Sequence, residues 1–476
     1  MRKTGFFTLV TLVLASCTVG PDYVKPPLDT PPVWRLDYEA AAGLADLAWW
    51  EGLGDPVLNR LIQEALKENK DLKIASARVE QFLGALDTTR SQFFPQMGGD
   101  LSASRQRVTE TGPTPIPTGI SSTYNYFQAA LNVGWEIDVW GRIRRASENA
   151  RAQVLASEEG RRAVILTLVT NVAKSYLSLR ALDRQLEIAR ETEKAYAETL
   201  HLFHLRYKYG TISRLELSQI ESQYESARQA IPQYQSLIAQ QENFISILIG
   251  RNPGSIPRGR AIDDLAPVAI PGGLPSTLLE RRPDILQAEQ SLVAANAQIG
   301  VAKARYFPVI SLTGILGTAS EELSSLFEGP SKIWTTGGAA AGPIFTFGAI
   351  SGQVKQAEAL QQQALFQYQQ TVQNAFREFE DALEETCKGR ERLASQGRQI
   401  DSLKSYARSA RLQYEGGTAS YFLVLDADRS LFSAQLAYVE TQSNVLTSLV
   451  NVYKAMGGGW VNEADKRTAE AAVSAK

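Results

Sequence analysis

Trp140-Gly141-Arg142-Ile143-Arg144 opens, and Arg206-Tyr207-Lys208-Tyr209-Gly210 closes, a run of about 68 residues without a proline. Ile165, Leu168, Val172, Tyr176 and Leu179 recur along it at steps of three and four, which gathers apolar side chains on one helix face. At 1.5 Å per residue such a helix is ~100 Å long, far beyond the needs of an ordinary globular domain. Phe347-Gly348 opens a second proline-free run that reaches Gly417. The chain is therefore two copies of one design built on two long helices.

Working outward, a first helix is expected from about Pro56, continuing from Asp71 to Phe94, where Pro95 stops it. The period then changes. From Phe127 to Ile137 the odd positions are Phe, Ala, Leu, Val, Trp and Ile, and Gln128, Asn132, Glu136 and Asp138 stand between them. Alternation over that length is a strand with one apolar and one polar face. A second strand is expected at 97–109, and residues 110–123 form a Thr-, Ser-, Gly- and Pro-rich loop between the two. Such alternation, a long polar loop and aromatics near the strand ends favour a membrane barrel over a soluble sheet.

The copies align by number. Asp71, Ala75, Phe94 and Pro95 match Asp284, Ala288, Phe307 and Pro308, an offset of 213. After the hairpin the offset is 207, as Trp140-Gly141 meets Phe347-Gly348 and Gly210-Thr211 meets Gly417-Thr418. The second hairpin is expected at 309–345, with strands Val309–Thr318 and Trp334–Phe345. After each turn a stripe resumes at a sustained period near 3.5, the signature of left-handed coiled-coil packing: Leu217, Ile220 and Tyr224 in one copy, Val424, Ala427 and Leu431 in the other. The organisation read from the chain is an export signal at 1–16, an extended anchor and tether at 17–56, repeat one at 57–250, a Pro-rich connector at 251–275, repeat two at 276–456 and a loosely held tail at 457–476.

Composition narrows the function. Charges nearly cancel, 49 basic against 51 acidic, so no basic surface is available for nucleic acid. Arg2 and Lys3 precede the apolar run Phe6–Ala15, the layout of a signal peptide. Leu14-Ala15-Ser16-Cys17 then resembles a bacterial lipoprotein cleavage box, which makes Cys17 the acylated first residue, with a covalent lipid there and no other cofactor. Cys387, on the stripe four residues after Leu383, is expected to be a small buried residue. His201 and His204 could share a helix face but lack a supporting ligand set, so no metal site is expected. No nucleophile elbow, phosphate loop or zinc-protease motif occurs, and an enzyme is not expected.

Leu279-Glu280-Arg281-Arg282-Pro283-Asp284-Ile285, Ala302-Lys303-Ala304-Arg305-Tyr306-Phe307-Pro308 and Gly342-Pro343-Ile344-Phe345-Thr346-Phe347-Gly348 resemble the TolC-type outer membrane efflux family, in its lipid-anchored OprM/NodT branch. The resemblance covers nearly the whole mature chain. It implies a mixed α and β membrane protein and a homotrimer. Each chain gives four strands to one shared 12-stranded barrel, and its helices to a coiled-coil tunnel in the periplasm. It further implies a passive duct with an iris gate, a periplasmic adaptor protein, and an inner-membrane pump, proton-driven in this branch. The rival from another class is a structural trimeric coiled-coil scaffold or adhesin, which would not need two hairpins at matched places in a repeat.

The resemblance also assigns residues. Gly210, Thr211, Gly417 and Thr418 lie in the two Tyr-x-x-Gly-Thr-x-Ser turns, which correspond to the tips met by the adaptor. Those turns also read simply as glycine helix ends followed by a serine start. Phe422 and Asp426, one helical turn apart, correspond to an apolar and an acidic ring at the closed entrance; the plainer alternative is a solvated aspartate paired with Arg429. Glu216 and Tyr414 resemble a pair that links neighbouring tip helices, although a capping box from Ser213 accounts for Glu216 as well.

Overall fold

The computed structural model of the chain describes residues 18–28, 31, 34–36, 48–111, 117, 119, 121–265, 269–270, 275–457, 460–461 and 464–465. The lipid site expected at Cys17 lies outside the described residues. The element order repeats. α1 (Pro56–Glu68), α2 (Lys70–Ser91), β1 (Gln96–Arg107), β2 (Thr123–Ile137), α3 (Arg142–Lys208) and α4 (Arg214–Leu248) are followed by α5 (Pro275–Arg281), α6 (Pro283–Ala304), β3 (Val309–Ser320), β4 (Lys332–Ala341), α7 (Ala349–Glu415) and α8 (Tyr421–Ala455). α3 and α7 are 67 residues each and α4 and α8 are 35 each, so the two copies match in length as well as in order. α4 continues through Pro232, where the missing N–H leaves the Arg228 carbonyl without its helical donor. Two compact units divide the chain: residues 1–27, 78–157 and 288–368 form one, and 28–77, 158–287 and 369–476 the other.

The first unit holds the sheet, antiparallel in the order β1-β2-β3-β4. Leu131 lies opposite Gly99 on one side and Leu316 on the other, and Leu316 opposite Trp334. Paired residues share a face, so the apolar set runs across all strands: Met97, Leu101, Leu131, Val133, Leu312 and Trp334. The opposite face carries Asp100, Ser102, Asn132, Glu136, Ser311 and Thr335. β4 ends at Ala341, four residues short of the expected Phe345. Pro343 has no N–H for the ladder, so the alternation of Ile344 and Phe345 is not strand.

A strap also belongs to this unit. Val19 N–H donates to the Trp140 carbonyl at 3.0 Å, and Arg145 reaches the Gly20 carbonyl and Asp22 at 3.3 and 2.7 Å. Asn296 donates to the Pro21 carbonyl at 3.0 Å, and Lys25 pairs with Glu289 at 2.8 Å. Gly20, at φ +107°, passes so near Gly300 that a Cβ on it would sit 2.5 Å from the Gly300 Cα. Residues 18–25 are thereby threaded between the start of α3 and the middle of α6.

In the second unit the core gathers around aromatics. Trp49 stacks on Tyr453 with centroids 5.4 Å apart, and Trp50 meets Trp460 edge-on at 5.3 Å. Asp55, fully buried, caps α1 through Val57 N–H at 2.8 Å and also accepts the Tyr176 hydroxyl and Arg260 N–H at 2.8 and 2.9 Å. That carboxylate fastens α1, α3 and the connector together. Arg282, only 3% exposed, is satisfied by Asp284, Glu378 and the Ala455 carbonyl. The tail is packed, not loose, at its described residues: Trp460 is 1% exposed and Asp465 pairs with Arg161 at 2.8 Å. An indole outweighs the mobility that three successive glycines suggest.

Candidate functional site

The site is built at the two helical turns and the helices that leave them, all in the second unit. α3 ends with Gly210 at φ +70° and α7 with Gly417 at φ +73°, left-handed values that suit glycine. Thr211 N–H returns to the Arg206 carbonyl at 2.9 Å, and Gly210 N–H to Tyr207 at 3.0 Å. Thr418 and Gly417 repeat both bonds to Gln413 and Tyr414, at 2.9 and 3.0 Å. Each threonine hydroxyl adds a bond to the same carbonyl, at 2.9 Å for Thr211 and 3.0 Å for Thr418. These are Schellman ends, which satisfy carbonyls a helix otherwise leaves open. Nothing lies within 4 Å of a Cβ built on either glycine, so the turns present open backbone.

The two exits differ. Ser213 caps α4 in a full capping box, its N–H donating to Glu216 at 2.8 Å and its hydroxyl oxygen accepting the Glu216 N–H at 3.2 Å. Ser420 makes no side-chain cap, and with Leu423 as the third residue of α8 no reciprocal capping box can form. Ser213→Ala should therefore cost the start of α4 about 1 kcal/mol, while Ser420→Ala costs α8 almost nothing. Hydrogen exchange checks this: the Glu216 amide should exchange faster in the first variant, and the Leu423 amide should be unchanged in the second.

Behind the turns, Phe203 is buried with its ring centroid 4.3 Å from that of Tyr421, and Tyr414 stands 5.1 Å from Tyr421. Arg206 donates to the Tyr414 hydroxyl at 3.0 Å and lies over its ring. Within one chain Tyr414 and Glu216 are not brought together, since Glu216 is turned to its own cap. Asp428 was not singled out from sequence. It accepts from Arg411 at 3.3 Å and ties α7 to α8; burial pushes its carboxyl upward and Arg411 opposes that. The buried Tyr196 nearby has its hydroxyl pushed up to about 12 by the same loss of water.

Phe422 is 61% exposed beside a groove of about 280 Å³ between α4 and α8, which Leu215, Gln219, Leu425, Asp426 and Arg429 also line. Asp426 accepts from Arg429 at 3.1 Å and from the Tyr406 hydroxyl at 3.4 Å. The aspartate expected in an acidic ring therefore carries its own counter-ion. His201 and His204 stand exposed on α3, and among the described residues no cluster of His, Cys, Asp or Glu is suited to a metal. Among the described residues, too, no helix is long and apolar enough to cross a membrane.

Comparison with known proteins follows the same outline. The family model "Outer membrane efflux protein" matches residues 61–251 and 274–458. The cation efflux system protein CusC of Escherichia coli is 35% identical over 457 residues, covering 95% of this chain and 97% of that one. A crystal structure of CusC superposes with a TM-score of 0.82 at 34% identity, over 93% of this chain and 100% of that one. The toluene efflux pump outer membrane protein TtgC of Pseudomonas putida is 34% identical, over 99% of each chain. The probable outer membrane lipoprotein SilC of Salmonella typhimurium is 36% identical, over 97% of this chain and 100% of its own.

Proposed function

The chain belongs to the outer membrane efflux protein family and is an outer-membrane efflux channel-tunnel, and from that premise we propose that it works as a homotrimer gated at its periplasmic tips. The sheet carries the reading. It has one apolar and one polar face and two edges, β1 and β4, with no further strand beside them among the described residues. In lipid each unpaired backbone group costs several kcal/mol, so such a sheet must close. Four strands cannot close. Eight, from two copies, make a barrel whose interior side chains fill, whereas twelve, from three, leave a lumen.

The lipid belongs on Cys17, the cysteine of the Leu14-Ala15-Ser16-Cys17 box, and a relative named as an outer membrane lipoprotein supports that reading. The tips, Gly210-Thr211 and Gly417-Thr418, receive an adaptor protein, and behind it an inner-membrane pump, proton-driven in this reading, supplies the energy. Relatives of near-equal similarity, 35% and 34%, are named for cation and for toluene efflux, which supports a duct that leaves cargo selection to the pump. No chemistry is assigned to the chain itself.

The tip assignment is tested with single cysteines in cells expressing the pump and its adaptor. Thr211→Cys and Thr418→Cys should each form adaptor adducts with a short thiol-to-amine cross-linker, and Ser102→Cys in β1 should form none. Adducts absent from both tips, with the trimer intact, would remove the tips as the adaptor site.

A further inference from the structure

The four strands sort their charges by face. Their cations are Arg105, Arg107 and Lys332, and register puts all of them on the apolar face: the arginines share the odd positions of β1 with Met97 and Leu101, and Lys332 pairs with Thr318 in the row of Ala129 and Leu101. Their carboxylates are Asp100 and Glu136, and both stand on the polar face. A cation on a lipid-facing row is costly at mid-bilayer and nearly free at the interface, so the height of these groups on the sheet decides what they meet.

The apolar rows run from Ile137, opposite Ile310, to Phe127, opposite Ala103. That length of β2 is ~34 Å of strand, and at a tilt of ~40° it rises ~26 Å, close to the ~25 Å apolar band of a membrane barrel. On the same face, Arg105 comes one row beyond Phe127 and Arg107 the row after, at the hairpin end away from the helices. Both therefore stand ~5–10 Å above the band, at headgroup level. Lys332, one row inside Phe127, reaches that level by its long stem. Asn125 lies opposite Arg105 and Thr123 opposite Arg107, so two guanidiniums, an amide and a hydroxyl share one patch. The arginines are ~7 Å apart along the strand, near enough for both forks to close on one phosphate. Arg105 and Asn125 are exposed. Arg107 meets Glu110 at 3.5 Å, with both side chains largely exposed, a pair that water and salt weaken.

We propose that this patch of β1 and β2 binds the phosphate headgroup of an outer-leaflet lipid, whose acyl chains lie along the apolar rows below it. This rests on the barrel reading above, which turns the apolar face to lipid and the hairpin end to the cell exterior. Charge is complementary, and two arginines match the oxygens of a phosphate as forks, where lysines would offer only point charges. The occupant is a lipid because the patch runs without a break into apolar surface: Ala103 and Phe127 lie directly beneath it, and Leu101, 84% exposed, beneath them. A free anion would use the patch and leave that surface bare. Arg105 is the leading group, since Arg107 is shared with Glu110.

Native mass spectrometry of the full-length protein in mild detergent tests this, with doubly phosphorylated lipid A as the probe. The unsubstituted protein should retain that glycolipid about tenfold better than the same glycolipid stripped of phosphate. Arg105→Gln with Arg107→Gln should bring retention down to that of the stripped form, whereas Gln106→Ala, between them on the other face, should leave it unchanged. Equal retention of the two glycolipids by the unsubstituted protein would overturn the proposal without any variant having to fold. Displacement of the glycolipid by an equal concentration of inorganic phosphate would mean a free-anion site and would overturn it as well. A spin label on Leu131→Cys, in a Cys387→Ala background in lipid vesicles, separates the two ways of failing. Equal retention with that label in hydrocarbon removes the lipid site and leaves the barrel standing. A label in water takes both down.

Discussion

Leu131→Arg is expected to cost the folded barrel about 2–4 kcal/mol, and Asn132→Arg close to nothing. The two residues are neighbours on β2 and both are exposed in the single chain, so burial does not separate them. Register does. Leu131 stands in a row with Gly99, Leu316 and Trp334, whereas Asn132 stands with Gly98, Ile315 and Thr335. In the proposed barrel a guanidinium in the first row faces hydrocarbon at mid-strand, and in the second row it faces water. Denaturant titration of the protein in lipid vesicles measures both. Equal losses would mean that the apolar row does not face lipid.

Divalent block is expected to weaken at least tenfold in Asp426→Ala, the equivalent of about 1.4 kcal/mol. In the proposed trimer, three carboxylates around one axis each contribute on the order of 1 kcal/mol to a bound divalent ion after salt screening. Arg429, the i+3 partner expected from sequence, lies 3.1 Å from Asp426 and shields it. Arg429→Ala should strengthen block, the opposite sign from Asp426→Ala. In the proposed gate Phe422, one turn nearer the tip and exposed, adds an apolar barrier that water crosses poorly. Phe422→Ala with Asp426→Ala should raise resting conductance more than either change alone. Block that is unchanged in Asp426→Ala would place the acidic ring elsewhere.

Much of the fold was legible because long elements declare their period. α3 and α7, α4 and α8, and both hairpins follow from steps of three and four or of two, and the sequence offsets between the copies are those of the strand register. What was misread turned on single residues. Ile344 and Phe345 carry a strand's alternation, but Pro343 cannot join a ladder. Trp460 follows three glycines, yet its indole is buried against Trp50. The tip turns and the capping box of Ser213 were readable because both partners lie within a few residues. The Asp426–Arg429 pair was readable for the same reason, whereas partners from other elements were not: Arg206 is 208 residues from Tyr414, and Tyr406 reaches Asp426 from the preceding helix. Asp428 shows the same limit, since its role depends on burial and on Arg411 from another element. Periodicity carries faces of helices and strands, and pairing across elements is beyond it.

In the proposed trimer three chains form one pore held shut at the tips, and single-channel recording in planar bilayers reads that pore. The unsubstituted protein should give discrete, small, cation-preferring openings, and the Phe422→Ala, Asp426→Ala double variant should give larger ones of the same unit. A trimeric double variant that inserts into the bilayer and passes no current would contradict the account.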